Sequence, residues 1–242
     1  MKTLLDLHTH SIMSGHAYST VQEMAAAASQ KGLQYLGITE HGPALPGSCH
    51  PIYFRNLHVV PRVIDGVNIM MGAELNILNH HGDLDLEEFY YRQMSHRVAG
   101  MHLLCWEGGT RSQNTEGMIS AIENPWVNII SHPGDGTAEL EFEPIVRAAK
   151  AQGVLLEINS SSMKPCRGKK EAVGNNLELL RLCRQHDMPI ILGSDAHISY
   201  DIANYEHALP LLAETQFPPE LVVNDKPDLF FSVTGLEWRN EG

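Results

Sequence analysis

The sequence predicts an α/β fold in which parallel strands and helices alternate and close into a barrel of about seven β/α units. Three observations carry this. Short apolar segments recur about every 30 residues, the length of one βαβ unit. Amphipathic stretches with recognisable caps lie between several of them. His, Asp and Glu residues fall at the C-terminal ends of the apolar segments, the face on which parallel barrels build their sites.

The expected strands cover residues 4–7, 35–39, 67–73, 98–103, 127–131, 154–158 and 189–192. Thr20 and Glu23 form a capping box ahead of an alanine-rich helix, and Gly32 is placed to end it. A second helix, 143–152, stops at Gly153, and a third, 176–186, follows Gly174 and is closed off by Pro189. The stretch between the second and third strands is broken by Pro43, Pro46, Pro51 and Pro61. An open, doubly wound sheet is the alternative fold, but no glycine-rich nucleotide-binding fingerprint supports it. Composition does not shift along the chain, so residues 1–242 are expected to form one domain, with the tail after Pro218 packed on the barrel.

With 43% hydrophobic and 19% charged residues, the chain can fill a core and is not of disordered composition. A net charge of −12 disfavours a nucleic-acid partner. The N-terminus leaves no room for a signal peptide and no apolar run is long enough for a membrane span, so a cytoplasmic protein is expected. Cys49, Cys105, Cys166 and Cys183 are scattered, without the spacing of a disulfide framework or a thiolate zinc site.

Histidine is the unusual residue, with 14 copies. Residues two apart share a strand face, so Asp6, His8 and His10 are expected on one face of the first strand. His41 follows the second strand, Glu74 the third, and His132 the fifth; His102 ends the fourth, Glu157 and Asn159 close the sixth, and Asp195 and His197 follow the seventh. Any one of these is as easily a satisfied structural residue. As a set placed by the barrel rule they point to a metal site, histidine being the commonest ligand. Gly72, Gly100 and Gly193 each sit two residues before Glu74, His102 and Asp195, where they either leave room for the site or simply pack the barrel. Lys164, Arg167, Lys169 and Lys170 lie in the loop after the sixth strand; Lys164 and Arg167 are the candidates for holding a substrate phosphate, against a merely solvated surface.

Asp6-Leu7-His8-Thr9-His10, His16, Thr39-Glu40-His41-Gly42, Gly72-Ala73-Glu74, His102, Ser131-His132-Pro133 and Ser194-Asp195-Ala196-His197 together resemble the polymerase-and-histidinol-phosphatase (PHP) superfamily, and within it the small bacterial YcdX-type phosphatases. The resemblance spans about residue 6 to residue 200. It implies a distorted (β/α)7 barrel, with its active site at the C-terminal ends of the strands and three divalent metal ions. By the resemblance His8, His10, Glu74 and Asp195 hold one ion. Glu74 bridges to a second, completed by His102 and His132, and His16, His41 and His197 hold the third. Glu74 and Asp195 would thus serve catalysis and metal binding together. An imidazole and carboxylate set without thiolate suits zinc, with manganese open. The implied reaction is hydrolysis of a small-molecule phosphate monoester by a water that the ions activate near neutral pH. Asp6, Glu157 and Asn159 are candidates to orient the histidines. A phosphodiesterase or exonuclease, an amidohydrolase-type enzyme and a metal-loaded module without turnover are the alternatives.

Overall fold

The computed structural model describes residues 2–238. Its strands are β1 (Leu5–Asp6), β2 (Tyr35–His41), β3 (Val63–Ile64), β4 (Val67–Asn76), β5 (His96–Gly100), β6 (Ile129–Ile130), β7 (Leu155–Asn159) and β8 (Ile190–Gly193). All but β3 run parallel, in the order β1-β2-β4-β5-β6-β7-β8, and curl into a nearly closed barrel. The expected strands are all present. The addition is β3, which pairs antiparallel with β4. Asp65 and Gly66 join the two with φ of 51° and 80°. Two successive positive φ values define the tight hairpin turn that Asp-Gly favours, so the signal stood in the sequence.

The helices are α1 (Val21–Gln30), α2 (Ile52–Arg55), α3 (Glu88–Tyr91), α4 (Arg111–Glu123), α5 (Phe142–Gln152), α6 (Ala172–Gln185), α7 (Leu209–Glu214) and α8 (Pro227–Thr234). The Thr20–Glu23 box caps α1, and Gly153 ends α5 at φ 69°. Helix α4 has its own box, Thr110 with Gln113. Helix α6 begins at Ala172, so Gly174 lies inside it rather than before it. A Cβ on Gly174 would meet nothing within 4 Å, and a glycine in an open helical position costs only about 1 kcal/mol.

One apolar layer lies between the sheet and its helices. Another fills the lower half of the barrel: Leu5, Leu7, Met70, Val98, Ile129, Leu155, Ile191, Val223 and Phe230. The tail packs as expected, with α8 supplying Phe230 as a plug; the polar end, 239–242, lies outside the described residues. Counting upward in twos from these inward residues, β4 goes from Met70 to Gly72 and Glu74. Strand β7 goes from Leu155 to Glu157 and Asn159, and β8 from Ile191 to Gly193, with Asp195 next. The barrel is thus apolar below and polar above.

The first strand departs from the expected alternation. It ends at Asp6, and the chain then crosses close over Gly37, where a Cβ would stand 2.7 Å from the Leu7 Cα. The buried His96 ring donates Nε2–H to the Leu7 carbonyl, 2.8 Å, and fixes that crossing. His8 and His10 enter the barrel, whereas Asp6 turns to the seam between β1 and β8. It accepts from Ser194 Oγ at 2.5 Å and from Ala203 N at 2.8 Å.

That seam lacks a regular ladder. Thr9 and Ala196 form an isolated bridge, and lower down residues of the tail fill the gap. The Asn224 side chain accepts from Leu192 N at 2.8 Å and donates to the carbonyls of Leu192 at 2.9 Å and Leu5 at 3.2 Å. Its backbone carbonyl accepts from Leu4 N at 2.7 Å. One buried amide thus does the work of a missing pair of strands. No helix among the described residues is long and apolar enough to cross a membrane.

Asn224→Ala strands Leu192 N and the carbonyls of Leu192 and Leu5, while the Leu4 bond to the backbone survives, and is expected to destabilise the fold by about 2–4 kcal/mol, read from urea unfolding midpoints.

Candidate metal centre

Strand geometry brings the polar residues to one point above the apolar plug. His41 and Glu74 are register partners at the ends of β2 and β4. His102 lies just beyond β5 rather than at its last position, since the strand ends at Gly100. His132, Asp195 and His197 follow β6 and β8, and His16 comes from the loop before α1.

Glu74, fully buried, is the hub. Its Oε1 lies 2.9 Å from His132 Nε2, 3.2 Å from His8 Nε2 and 3.3 Å from His102 Nε2. Its Oε2 lies 2.8 Å from His41 Nδ1 and 3.5 Å from His10 Nε2. Asp195 Oδ1 reaches His10 Nε2 at 3.3 Å and His8 Nε2 at 3.7 Å. His197 and His16 face each other at 3.0 Å between Nε2 atoms.

Burial opposes ionisation of Glu74, but His8, His102 and His41 outweigh it and hold the carboxyl well below its usual range. Desolvation likewise opposes ionisation of Asp195, which keeps a little exposure, and His8, His10 and His197 hold it low. Burial, with His41 and His197 close by, drives His10 well below its ordinary value. Burial likewise pushes His41 down to about 4. Two rings go the other way: burial opposes protonation, yet Glu157, Glu74 and Asp195 hold His8 well above its ordinary value, and Glu74 and Asp135 raise His132. Metal binding needs ionised carboxylates and neutral imidazoles, so a cation here would displace the protons of His8 and His132.

Ring orientation agrees. His8 Nδ1 donates to Glu157 Oε1 at 2.7 Å, and the Nδ1 atoms of His16 and His197 donate to the carbonyls of Ser14 and Asp195, each at 3.0 Å. A carbonyl can only accept, so the proton sits on Nδ1 and the Nε2 lone pair is left for the shared space. The His8 and His10 Nε2 atoms, His41 Nδ1 and Glu74 Oε2 are buried yet have no aligned hydrogen-bond partner among the described residues. Close approach without alignment is how ligand atoms stand around a cation, so the donor set fits one. His8, His10 and Glu74 form one group that can hold an ion; His10, His41 and His197 form another, and His41, Glu74 and His102 a third. These groups share members and cut across the three sets implied by the resemblance, with His132 joining through Glu74 and His16 through His197.

Two of the clustered residues, His132 and Asp195, hold positive φ values of 35° and 49°. Such backbone strain in non-glycine residues persists where surroundings over-determine it, commonly at sites. The glycines make room for polar side chains. A Cβ on Gly193 would collide with Glu157 Oε1 and one on Gly100 with Ser131 Oγ, at 1.5 Å and 2.2 Å; Gly72 accommodates His96 instead.

Several supporting residues were not singled out by sequence. Ser14 Oγ donates to Glu40 Oε2 at 2.6 Å, accepts from His41 N at 3.1 Å, and lies 3.0 Å from His10 Nδ1. While Glu40 is ionised the Ser14 hydroxyl proton goes to its carboxylate, His10 Nδ1 is then the donor to Ser14, and His10 Nε2 is left bare. Glu40 also accepts from Ser11 Oγ at 2.5 Å, and burial raises its carboxyl to about 7. Glu40 is out of phase with His41, so strand alternation hid it. Of the candidates for orienting histidines, Glu157 touches His8 and also accepts from His132 N at 2.8 Å. Asn159 braces Glu157 at 3.0 Å, and Asp6 holds Ser194 instead of a ring.

The cluster floors a cavity of about 400 Å³. Arg167 lines it, and so does Lys169, which pairs with Asp135. Lys164 does not: it turns away to Asp201, 2.7 Å distant.

Barrel and cluster together define a class, the parallel-barrel protein with a histidine–carboxylate cluster able to hold metal at its C-terminal mouth. The model of the PHP domain matches residues 6–218, and the chain belongs to that family. It is 42% identical to a protein named probable phosphatase from Acetivibrio thermocellus, over 95% of this chain and 94% of that one. It is 40% identical to another of the same name from Caldicellulosiruptor bescii, over 98% and 97%. The solved histidinol phosphate phosphatase of Lactococcus lactis, complexed with zinc, L-histidinol and phosphate, shares the fold. Its TM-score is 0.59 over 90% of this chain and 95% of that one, at 19% identity.

Ser14→Ala removes the group that orients His10 and is expected to weaken metal retention by about 10–100-fold, read by chelator competition.

Proposed function

We propose that this chain is a metal-dependent phosphatase that hydrolyses small-molecule phosphate monoesters in a trinuclear centre, its whole length acting as one domain. The observation that carries the reading is the convergence of bare imidazole nitrogens on two ionised carboxylates at the floor of one cavity. The relatives named probable phosphatases support it, as does the Lactococcus lactis protein with its zinc and phosphate.

His8, His10, Glu74 and Asp195 would hold one ion, Glu74 with His102 and His132 a second, and His16, His41 and His197 a third. Zinc is the favoured metal, with manganese acceptable to the same ligands. Divalent ions there supply Lewis acidity and a water nucleophile usable near neutral pH. The protein does the rest. Glu74 and Asp195 stay ionised and offset part of the positive charge, leaving a field that draws an anion into an otherwise acidic molecule. Glu157 keeps the His8 ring and the His132 backbone in place. Arg167, whose guanidinium donates only to Ser161 Oγ among the described residues, is free to bind phosphate oxygens at the mouth. Lys169 adds positive charge beside it. Four free cysteines accord with a cytoplasmic location.

Purified protein supplied with Zn²⁺ or Mn²⁺ is expected to release phosphate from p-nitrophenyl phosphate, and chelation to abolish this. His8→Ala should lower kcat/KM by more than about 100-fold, since even groups that merely orient ligands cost 10–100-fold. Absence of phosphate release with Zn²⁺, Mn²⁺ or Mg²⁺ overturns the reading.

A further inference from the structure

Two leucines at the mouth have no place in the machinery described so far. Leu103 and Leu104 follow His102 directly and are 80% and 71% exposed. They ride on a tight turn closed by the His102 carbonyl, which accepts from Cys105 N and Trp106 N, each at 2.8 Å. Leu45 and Pro46, in the loop after His41, line the same cavity. That loop is fixed by Ala44 N donating to Asp85 Oδ2 at 2.8 Å. A lone exposed leucine means little. Consecutive ones beside a cavity that also holds Glu74 and Asp195 are a different matter, because large apolar side chains at a pocket lip are there to be covered.

The cavity is therefore lined by the cations Arg167 and Lys169, the latter paired with Asp135, and by the apolar side chains of Leu45, Pro46, Leu103 and Leu104. If the phosphorus lies over the cluster, the alcohol part of the ester must leave through the lip. A sugar or polyol would gain nothing from covering the leucines, because its hydroxyls keep their water there. An alkyl or aryl body would instead bury apolar surface on both partners. We propose that Leu103 and Leu104, with Leu45 and Pro46, form a leaving-group subsite that selects phosphate monoesters of alcohols with an apolar or aromatic body. The inference rests on the phosphatase reading for its chemistry, but the subsite itself can be tested by binding alone.

The test compares n-hexyl phosphate with ethyl phosphate, whose alkoxide leaving groups are of nearly equal basicity, so that kcat/KM reports the subsite. The hexyl ester should be favoured by about tenfold, as four half-buried methylenes would give. The double variant L103S/L104S should bring the ratio to within about twofold of one, and because both leucines are exposed it should keep its melting temperature. Calorimetric binding of hexylphosphonate and ethylphosphonate to the metal-loaded protein measures the same preference without turnover. Equal hydrolysis of both esters, or a preference that survives the double variant, overturns this inference and leaves the phosphatase reading standing. A hexylphosphonate preference with no hydrolysis of either ester does the reverse. Failure of both phosphonates to bind overturns the two together.

Discussion

One buried negative charge organises the molecule. Glu74 sits at zero exposure inside the barrel, where a bare carboxylate would be costly to ionise. Its two oxygens lie within reach of His8, His102 and His132 on one side and His10 and His41 on the other. Those rings come from β1, β2, β5 and β6 or the turns that follow them, so the charge is stabilised only when the sheet is wrapped. The layering follows: the lower interior is free to be hydrocarbon, and the upper interior must be polar and mutually satisfied. The centre is in this sense the upper half of the core, built from charge complementarity where the lower half is built from apolar contact.

The rings, in turn, are useful only in one tautomer each. Fixing that tautomer is the task of Glu157, of Ser14 backed by Glu40, and of the carbonyls of Ser14 and Asp195. These groups consume the Nδ1 protons of His8, His10, His16 and His197. The space around them is tight, which is why glycine stands under Glu157 at 193 and under Ser131 at 100. The strained backbones of His132 and Asp195 belong to the same economy of space, since each side chain leaves its strand end at an angle regular geometry would not allow.

Much of this was legible in the sequence, and the reasons divide cleanly. Alternation along β4, β7 and β8 is regular, so Glu74, Glu157 and Asp195 could be placed by counting in twos. The PHP family resemblance supplied His16, which no strand rule reaches. The misses arise where periodicity breaks or never applied. At Leu7 the chain leaves the strand and crosses Gly37, so Asp6 parted from His8 and His10. Glu40 points the opposite way from its neighbour and reaches the site only through a hydroxyl. Lys164 and Lys169 are both cations in one loop, and only the fold shows that Asp201 claims the first and Asp135 the second, and that Lys169 alone of the two lines the cavity. The Asp65-Gly66 hairpin and the second capping box were present as local signals and needed no tertiary knowledge.

The seam between β1 and β8 bears on how the protein is made. Asn224 touches Leu5 across 219 residues of chain, and His16 meets His197 across 181. A ribosome delivers these partners at opposite ends of synthesis. His8 and His10 can meet Glu74 once β4 is made, but His16 and the β1 edge have their partners only after the last strand and the tail have emerged, and closure entropy must be met before those contacts repay it. A truncated or stalled product therefore lacks both His197 and the Asn224 amide that bridges the seam, so the polar mouth of the barrel is complete only once the chain has closed on itself.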